Sequence, residues 1–156
     1  MTEKKATFAA GCFWGVEAKF LETTGVINTI VGYTGGMVEN PTYQMVCMNK
    51  TGHAEAVQVT YDSELISYKD LVRTFFELHN PTTRDRQGLD IGSQYRSVIF
   101  YHNEEQREIA KNVKEELNQS DKYSKLIVTE IAPEGDFYVA EDYHQRYYAK
   151  HFLSGH

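Results

Sequence analysis

Cys12 lies within Gly11-Cys12-Phe13-Trp14-Gly15, where a short apolar run gives way to apolar residues at helical spacing. The pentapeptide sets a thiol at a helix start, beside two aromatic rings, with glycines that allow close approach. The partial positive charge and unpaired N–H groups of a helix N-terminus favour the thiolate, which is the nucleophile. Most free cysteines are instead small buried hydrophobes, so Cys12 alone leaves both readings open. Glu55 shares an alternating face with Val57, Val59 and Tyr61, which turns it toward the covered side of a strand. Apolar surroundings there would raise its pKa and keep it protonated near neutrality, ready to act as an acid. The other reading is an exposed glutamate at a strand end. Tyr43 and Tyr95 could donate phenolic hydrogen bonds, Asp90 could orient them or a water, and Phe13 and Trp14 could wall an apolar pocket. Together these groups suit a small substrate with a methyl group and a polar S–O or C–O bond.

Other chemistries find less support. The six histidines, His53, His79, His102, His144, His151 and His156, are scattered, with no C-x-x-C or H-x-x-x-H spacing, so no metal site is expected. A papain-like Cys–His pair could form only through His53. No P-loop or G-x-G-x-x-G occurs, and no cofactor is implied.

A scaffold must bring these positions together. Ala6–Ala10 reads as a first strand and residues 12–23 as a helix, with Phe13, Val16, Phe20 and Leu21 at helical spacing and Gly25 as its C-terminal glycine. Val26–Tyr33 is a second strand, broken by Gly35-Gly36. A long polar loop with Asn40-Pro41 and Cys47 runs to Gly52, and His53–Tyr61 alternates as a third strand. Ser67 opens a capping box for a helix with the stripe Tyr68, Leu71, Val72, Phe75 and Leu78, and Pro81 stops it. After a second polar loop, Tyr95–Tyr101 is a fourth strand. Asn103 then caps a helix carrying Ile109, Ala110, Val113 and Leu117, and Leu126–Ile131 is a last strand before an aromatic, charged tail.

The first six elements run strand, helix, strand, strand, helix, strand, the order of the split βαβ, ferredoxin-like unit. The expected fold is α+β: a two-layer sandwich with that core sheet, plus an additional helix, a strand and an irregular C-terminal tail. With the strand order four, one, three, two, the end of strand one lies beside the starts of strands three and four. Cys12, the loop with Tyr43 and Cys47, Glu55, Asp90 and Tyr95 should then converge at one edge.

With 156 residues, 41% hydrophobic and 24% charged, the chain has the composition of a single globular domain, 1–156. A net charge of −6 argues against nucleic acid or an anionic membrane as partner, and the apolar runs are too short to span a bilayer. Two cysteines and an N-terminal stretch without a secretory apolar segment point to a reducing cytoplasm. A monomer is expected. Eleven tyrosines suit a pocket that is apolar yet needs a few donors.

The assembled blocks resemble the A-type peptide methionine sulfoxide reductases across almost the whole chain. They are Gly11-Cys12-Phe13-Trp14-Gly15, Gly32-Tyr33-Thr34-Gly35-Gly36, Asn40-Pro41-Thr42-Tyr43, Thr51-Gly52-His53-Ala54-Glu55, Arg86-Gln87-Gly88-Leu89-Asp90, Gln94-Tyr95-Arg96-Ser97 and Ala140-Glu141-Asp142-Tyr143-His144-Gln145. The resemblance implies repair of oxidised methionine, free or in proteins, with preference for the S epimer of the sulfoxide. It implies that Cys12 attacks the sulfoxide sulfur while Glu55 protonates the oxygen. Tyr43 and Tyr95 would hold that oxygen, Asp90 would support them, and Phe13 and Trp14 would receive the methyl group. Cys12 becomes a sulfenic acid, the first rung of the cysteine oxidation ladder. Many relatives carry resolving cysteines in a glycine-rich tail, whereas this chain ends Phe152-Leu153-Ser154-Gly155-His156. Cys47 is the one internal candidate, and an external thiol of the thioredoxin or glutathione/glutaredoxin type is the alternative. Two other readings are a thiol peroxidase forming the same sulfenic acid and a non-catalytic ferredoxin-like binding module.

Overall fold

Alternating apolar residues place Phe8, Val31, Val57, Val59 and Ile99 on one face of a six-stranded sheet, all of them buried. The computed structural model of the chain describes residues 3–48 and 51–150. In chain order its elements are β1 (Glu3–Ala10), α1 (Phe13–Leu21), β2 (Val26–Thr34), α2 (Tyr43–Cys47), β3 (Ala54–Asp62) and α3 (Tyr68–Glu77). A small hairpin of β4 (Arg86–Gln87) and β5 (Asp90–Ile91) and a 3-10 turn, Ser93–Tyr95, precede β6 (Ser97–Tyr101). Then come α4 (Glu104–Gln119), β7 (Glu130–Pro133), β8 (Tyr138–Val139) and a second 3-10 turn, Asp142–His144.

The sheet order is β7-β6-β1-β3-β2-β8. Its central four strands have the order expected of the split βαβ unit, and every pairing among them is antiparallel. The added strands extend both edges, β7 parallel to β6 and β8 antiparallel to β2. Phe8 stacks on Phe20 of α1 and Phe75 of α3, with centroids 5.1 and 5.3 Å apart, while Ala110 and Val113 bring α4 into the same core. The other face carries small residues, Ala9, Ala54 and Ala56, with Val98 and Phe100. These leave room for Phe137, which lies so close that a Cβ on Gly32 would stand 2.6 Å from its ring and 2.4 Å from the Tyr138 carbonyl.

Caps define two helices as the residue types predict. The Ser67 hydroxyl accepts the Asp70 N–H, and the Asn103 side chain accepts that of Gln106. Several boundaries differ from the pattern-based expectation. α1 ends at Leu21, and Gly25, at φ +99°, belongs to the turn into β2 instead of capping the helix. The expected strand Leu126–Ile131 is displaced to Glu130–Pro133, because its first half bonds to the end of α4 and to the loop after α3 and not to the sheet. Ile127 N–H reaches the Asn118 side chain, and Val128 N–H the Pro81 carbonyl. Tyr95 stands in a 3-10 turn ahead of β6, closed by its N–H to the Gly92 carbonyl. The polar loop after β2 contains the one-turn helix α2, capped by the Thr42 hydroxyl. The chain end Phe152-Leu153-Ser154-Gly155-His156 and the tail expectation placed on it lie outside the described residues.

A buried polar chain ties α3 to β6. His79 Nδ1 faces the Phe75 carbonyl at 2.7 Å, so it carries the proton, and Nε2 accepts the Ser97 hydroxyl at 2.7 Å. Ser97 and Thr129 share a further hydrogen bond of 2.7 Å. Burial lowers the His79 pKa to about 4, against a small upward pull from the Phe75 carbonyl.

Candidate active site

Strand register sets the site at one sheet end. Ala10 pairs with Ser97 and Phe8 with Val57. Cys12, two residues past Ala10, and Tyr95 and Glu55, each two residues before those partners, therefore overhang the same edge. Gly11, at φ +103°, turns the chain there, and a Cβ on it would stand 2.8 Å from Gln87 Cγ in the β4–β5 hairpin. A larger residue there would meet the Gln87 side chain and would be strained at that φ.

Cys12 is the N-cap of α1, and its carbonyl accepts the first helical bond, from Val16 N–H at 3.4 Å. The first N–H groups of any helix lack intrahelical partners. Here Phe13 donates to Glu55 Oε1 at 3.2 Å, while the N–H groups of Trp14 and Gly15 favour the Cys12 thiolate without a capping hydrogen bond to its side chain. One helical turn thus acts on both Cys12 and Glu55.

The expected thiolate is not the resting form. Burial drives the Cys12 thiol up to about 11; the Trp14 N–H pulls it down, the Glu55 and Asp90 carboxylates push it up, and the Gly15 N–H pulls it down. The helix N-terminus acts as anticipated, but desolvation outweighs it. Glu55 behaves as its strand phase predicts. It is 1% exposed, its pKa is raised from an ordinary 4.5 to about 8, chiefly by burial, and the Phe13 N–H and Asp90 charge are lesser and opposing influences. Its Oε2 is buried and has no hydrogen-bond partner among the described residues.

The phenols flank this pair. Burial raises the Tyr95 pKa to about 12, with the charges of Glu55, Cys47, Asp90 and Cys12 adding to it. Burial likewise raises Tyr43, followed by its hydrogen bond to Cys47 and the Glu55 charge. Both phenols therefore stay protonated as donors. Cys47 sits at the end of α2, half-buried, and both cysteines are free thiols. Burial raises the Cys47 pKa, and the Tyr43 hydroxyl partly offsets this. Asp90 is exposed on β5, so it acts on Cys12, Glu55 and Tyr95 through its charge.

Phe13 and Trp14 differ in setting. Phe13 is buried against Tyr33, Tyr43 and His144, whereas Trp14 is half-buried with Tyr147 stacked on the indole at 3.9 Å. His53, the one candidate for a Cys–His pair, has both nitrogens engaged elsewhere. Its Nδ1 accepts the Gly36 N–H at 2.9 Å and its Nε2 donates to the Val38 carbonyl at 2.7 Å, clasping the turn after β2.

Sequence reasoning did not single out the segment after β8. Glu141 accepts the Tyr33 hydroxyl at 2.8 Å and the Tyr43 N–H at 3.0 Å. His144 accepts the Trp14 indole N–H at 2.9 Å, and Gln145 bonds both the N–H and the carbonyl of Val31. Arg146 donates its N–H to the buried Glu17, whose other oxygen accepts the Thr29 hydroxyl. The block Ala140–Gln145 is one of those that carry the resemblance, but its contacts span about a hundred residues and carry no local pattern. Among the described residues no cluster of three or more His, Cys, Asp or Glu could hold a metal, and no helix is long and apolar enough to cross a membrane.

Comparison with known proteins supplies the family. Residues 4–155 match the family model described as peptide methionine sulfoxide reductase. The peptide methionine sulfoxide reductase MsrA of Methanosarcina acetivorans is 57% identical over 147 residues, covering 94% of this chain and 78% of that protein. The crystal structure of Mxr1 from Saccharomyces cerevisiae in reduced form superposes with a TM-score of 0.90 at 36% identity, over 99% of this chain and 88% of that one. Mxr1 in complex with Trx2 matches with a TM-score of 0.67 at 29% identity, over 93% and 84% of the two chains. A thiol and a protonated carboxyl at one sheet end thus sit on the scaffold of enzymes that reduce methionine sulfoxide through a thiol, and the chain belongs to the peptide methionine sulfoxide reductase family.

Proposed function

We propose that Cys12 is the nucleophile and Glu55 the acid of sulfoxide reduction in this chain. The observation that carries the reading is the carboxyl beside the thiol, with Oε1 held by the Phe13 N–H and Oε2 buried without a partner. With its pKa near 8, Glu55 holds a proton at neutral pH that the sulfoxide oxygen can take. As Cys12 Sγ bonds to the substrate sulfur, the thiol proton replaces the one that Glu55 gives up. Collapse of the adduct releases methionine and leaves the oxygen on Cys12; net, thiol plus sulfoxide yields sulfenic acid plus thioether. Tyr43 and Tyr95 donate to the sulfoxide oxygen, and Asp90 tunes the pair through its charge. Phe13 and Trp14 face the methyl group, and the A-type resemblance implies the S epimer.

The sulfenic acid is reset by an external dithiol of the thioredoxin class, a reading supported by the Mxr1 structure solved with Trx2. A first thiol forms a mixed disulfide with Cys12 and releases water; a second thiol frees Cys12. Cys47 is the internal alternative, favoured by the Tyr43 hydroxyl bonded to it and by Tyr95, whose phenol feels the charge of both thiols. The chain would act as a monomer in a reducing cytoplasm.

The test mixes reduced protein with one equivalent of a methionine sulfoxide peptide, without reductant. The expected products are one equivalent of methionine peptide and a protein whose mass shows a Cys12 sulfenic acid, or a Cys12–Cys47 disulfide if the internal route operates. Cys12→Ser should form no methionine, and methionine formation by that variant would overturn the nucleophile assignment.

A further inference from the structure

His144 is fully buried, and its ring lies among four aromatic neighbours, with centroids 5.2 Å from Phe13, 5.5 Å from Trp14, 4.3 Å from Tyr43 and 4.1 Å from Tyr143. Its Nδ1 accepts the Trp14 indole N–H at 2.9 Å. An indole nitrogen can only donate, so Nδ1 is unprotonated and the neutral ring carries its proton on Nε2. Burial keeps the ring in that neutral form by lowering its pKa, while the charge of Glu141 pulls the other way.

Nε2 has no hydrogen-bond partner among the described residues. A buried donor without an acceptor is unfavourable, and an apolar ring of similar size would fill the aromatic cage without that penalty. What imidazole supplies, and such a ring cannot, is the acceptor for the indole. Tyr147 adds a second restraint, stacking on the indole face at 3.9 Å with the planes 9° apart. A binding wall is most effective when its orientation is set before the ligand arrives, because ordering it on binding weakens affinity.

We propose that His144 is a positioning residue whose Nδ1 fixes the indole of Trp14 and thereby shapes the apolar pocket for the sulfoxide methyl group. This rests on the reading of Trp14 as a wall of that pocket.

Trp14 is the only tryptophan of the chain, so its fluorescence and its indole N–H resonance report on this ring without interference from another indole. His144→Phe keeps the aromatic bulk and removes the acceptor. KM for a methionine sulfoxide peptide should rise about fivefold to tenfold, the equivalent of one lost hydrogen bond, with kcat changed less than about twofold. Acrylamide should quench Trp14 more readily in that variant. His144→Asn puts an amide oxygen close to the Nδ1 position and should restore both properties. In a Trp14→Phe background, His144→Phe should have no further effect on KM, as expected for residues acting through one contact. A folded His144→Phe with KM and quenching at wild-type values overturns the proposal. If Trp14→Phe itself leaves KM unchanged, the pocket reading of Trp14 fails, and the quenching data still decide whether His144 restrains the indole. Should His144→Phe not fold, wild-type hydrogen exchange decides: a slowly exchanging indole N–H supports the contact, and exchange as fast as in free indole refutes it.

Discussion

The backbone N–H of Phe13 donates to Oε1 of Glu55 across 3.2 Å, which ties that carboxyl to the helical turn that has Cys12 as its N-cap residue. Trp14 and Gly15, next along that turn, favour the Cys12 thiolate through their N–H groups. The carboxyl is therefore held by one peptide unit of the turn whose next two N–H groups act on the thiol. The thiol and carboxyl titrations are coupled as well, since ionised Glu55 raises Cys12.

Glu55→Gln should slow the reductive single turnover by about two to four orders of magnitude, the range typical of a positioned acid, with the fold retained. In the wild type that rate should fall as pH rises through about 8, where Glu55 loses its proton. Rapid-quench measurement of methionine formation from pH 6 to 10 checks both; a flat profile would remove Glu55 as the acid.

Glu55 also makes stability depend on pH. Its folded pKa is raised, so the native state keeps a proton that the unfolded chain has lost, and stability declines as pH rises from about 4.5 to about 8. The full decline is on the order of 3–5 kcal/mol for a displacement of this size. Urea unfolding of wild type and Glu55→Gln across that window should show the slope in the first and a flatter profile in the second.

His79 works in the opposite direction. Its folded pKa is lowered to about 4, so the unfolded chain binds a proton first, and stability is lost as pH falls from about 6.5 to about 4. The loss should be about 3 kcal/mol. Replacing the imidazole by glutamine should reduce that acid dependence, as read from denaturant midpoints.

Glu141→Ala should destabilise the fold by roughly 1–3 kcal/mol, because it removes the acceptor of the buried Tyr33 hydroxyl and of the Tyr43 N–H. Calorimetry should also find Glu141→Gln milder, since an amide oxygen still accepts one of the two.

Cys47→Ser should retain the single-turnover rate and most of the thioredoxin-driven turnover if an external dithiol resets Cys12. Loss of the thioredoxin-driven turnover alone, with the first turnover intact, would instead assign resolution to Cys47.

Much of the scaffold was legible because it rests on local periodicity and element order. The alternation through Glu55, Val57, Val59 and Tyr61 predicted the buried face of β3, and the order of strands and helices predicted the central sheet. α2 escaped notice because five residues are too few for a helical stripe. The strand near Leu126 was misplaced because Ile127 and Val128 look β-forming but direct their N–H groups to Asn118 and Pro81. The charge state of Cys12 was beyond any motif, since its sign depends on how completely the fold removes water from the sulfur. His144 was hidden for a related reason: its caging by Phe13, Trp14 and Tyr43 exists only in three dimensions.

Glu141, His144, Gln145 and Tyr147 follow every other site residue in the chain, and together they grip Tyr33, Tyr43, Trp14 and β2. Translation delivers residues from the N-terminus, so a growing polypeptide acquires this grip last. The residues that anchor the Trp14 indole and the Tyr43 main chain are thus added after every group they anchor.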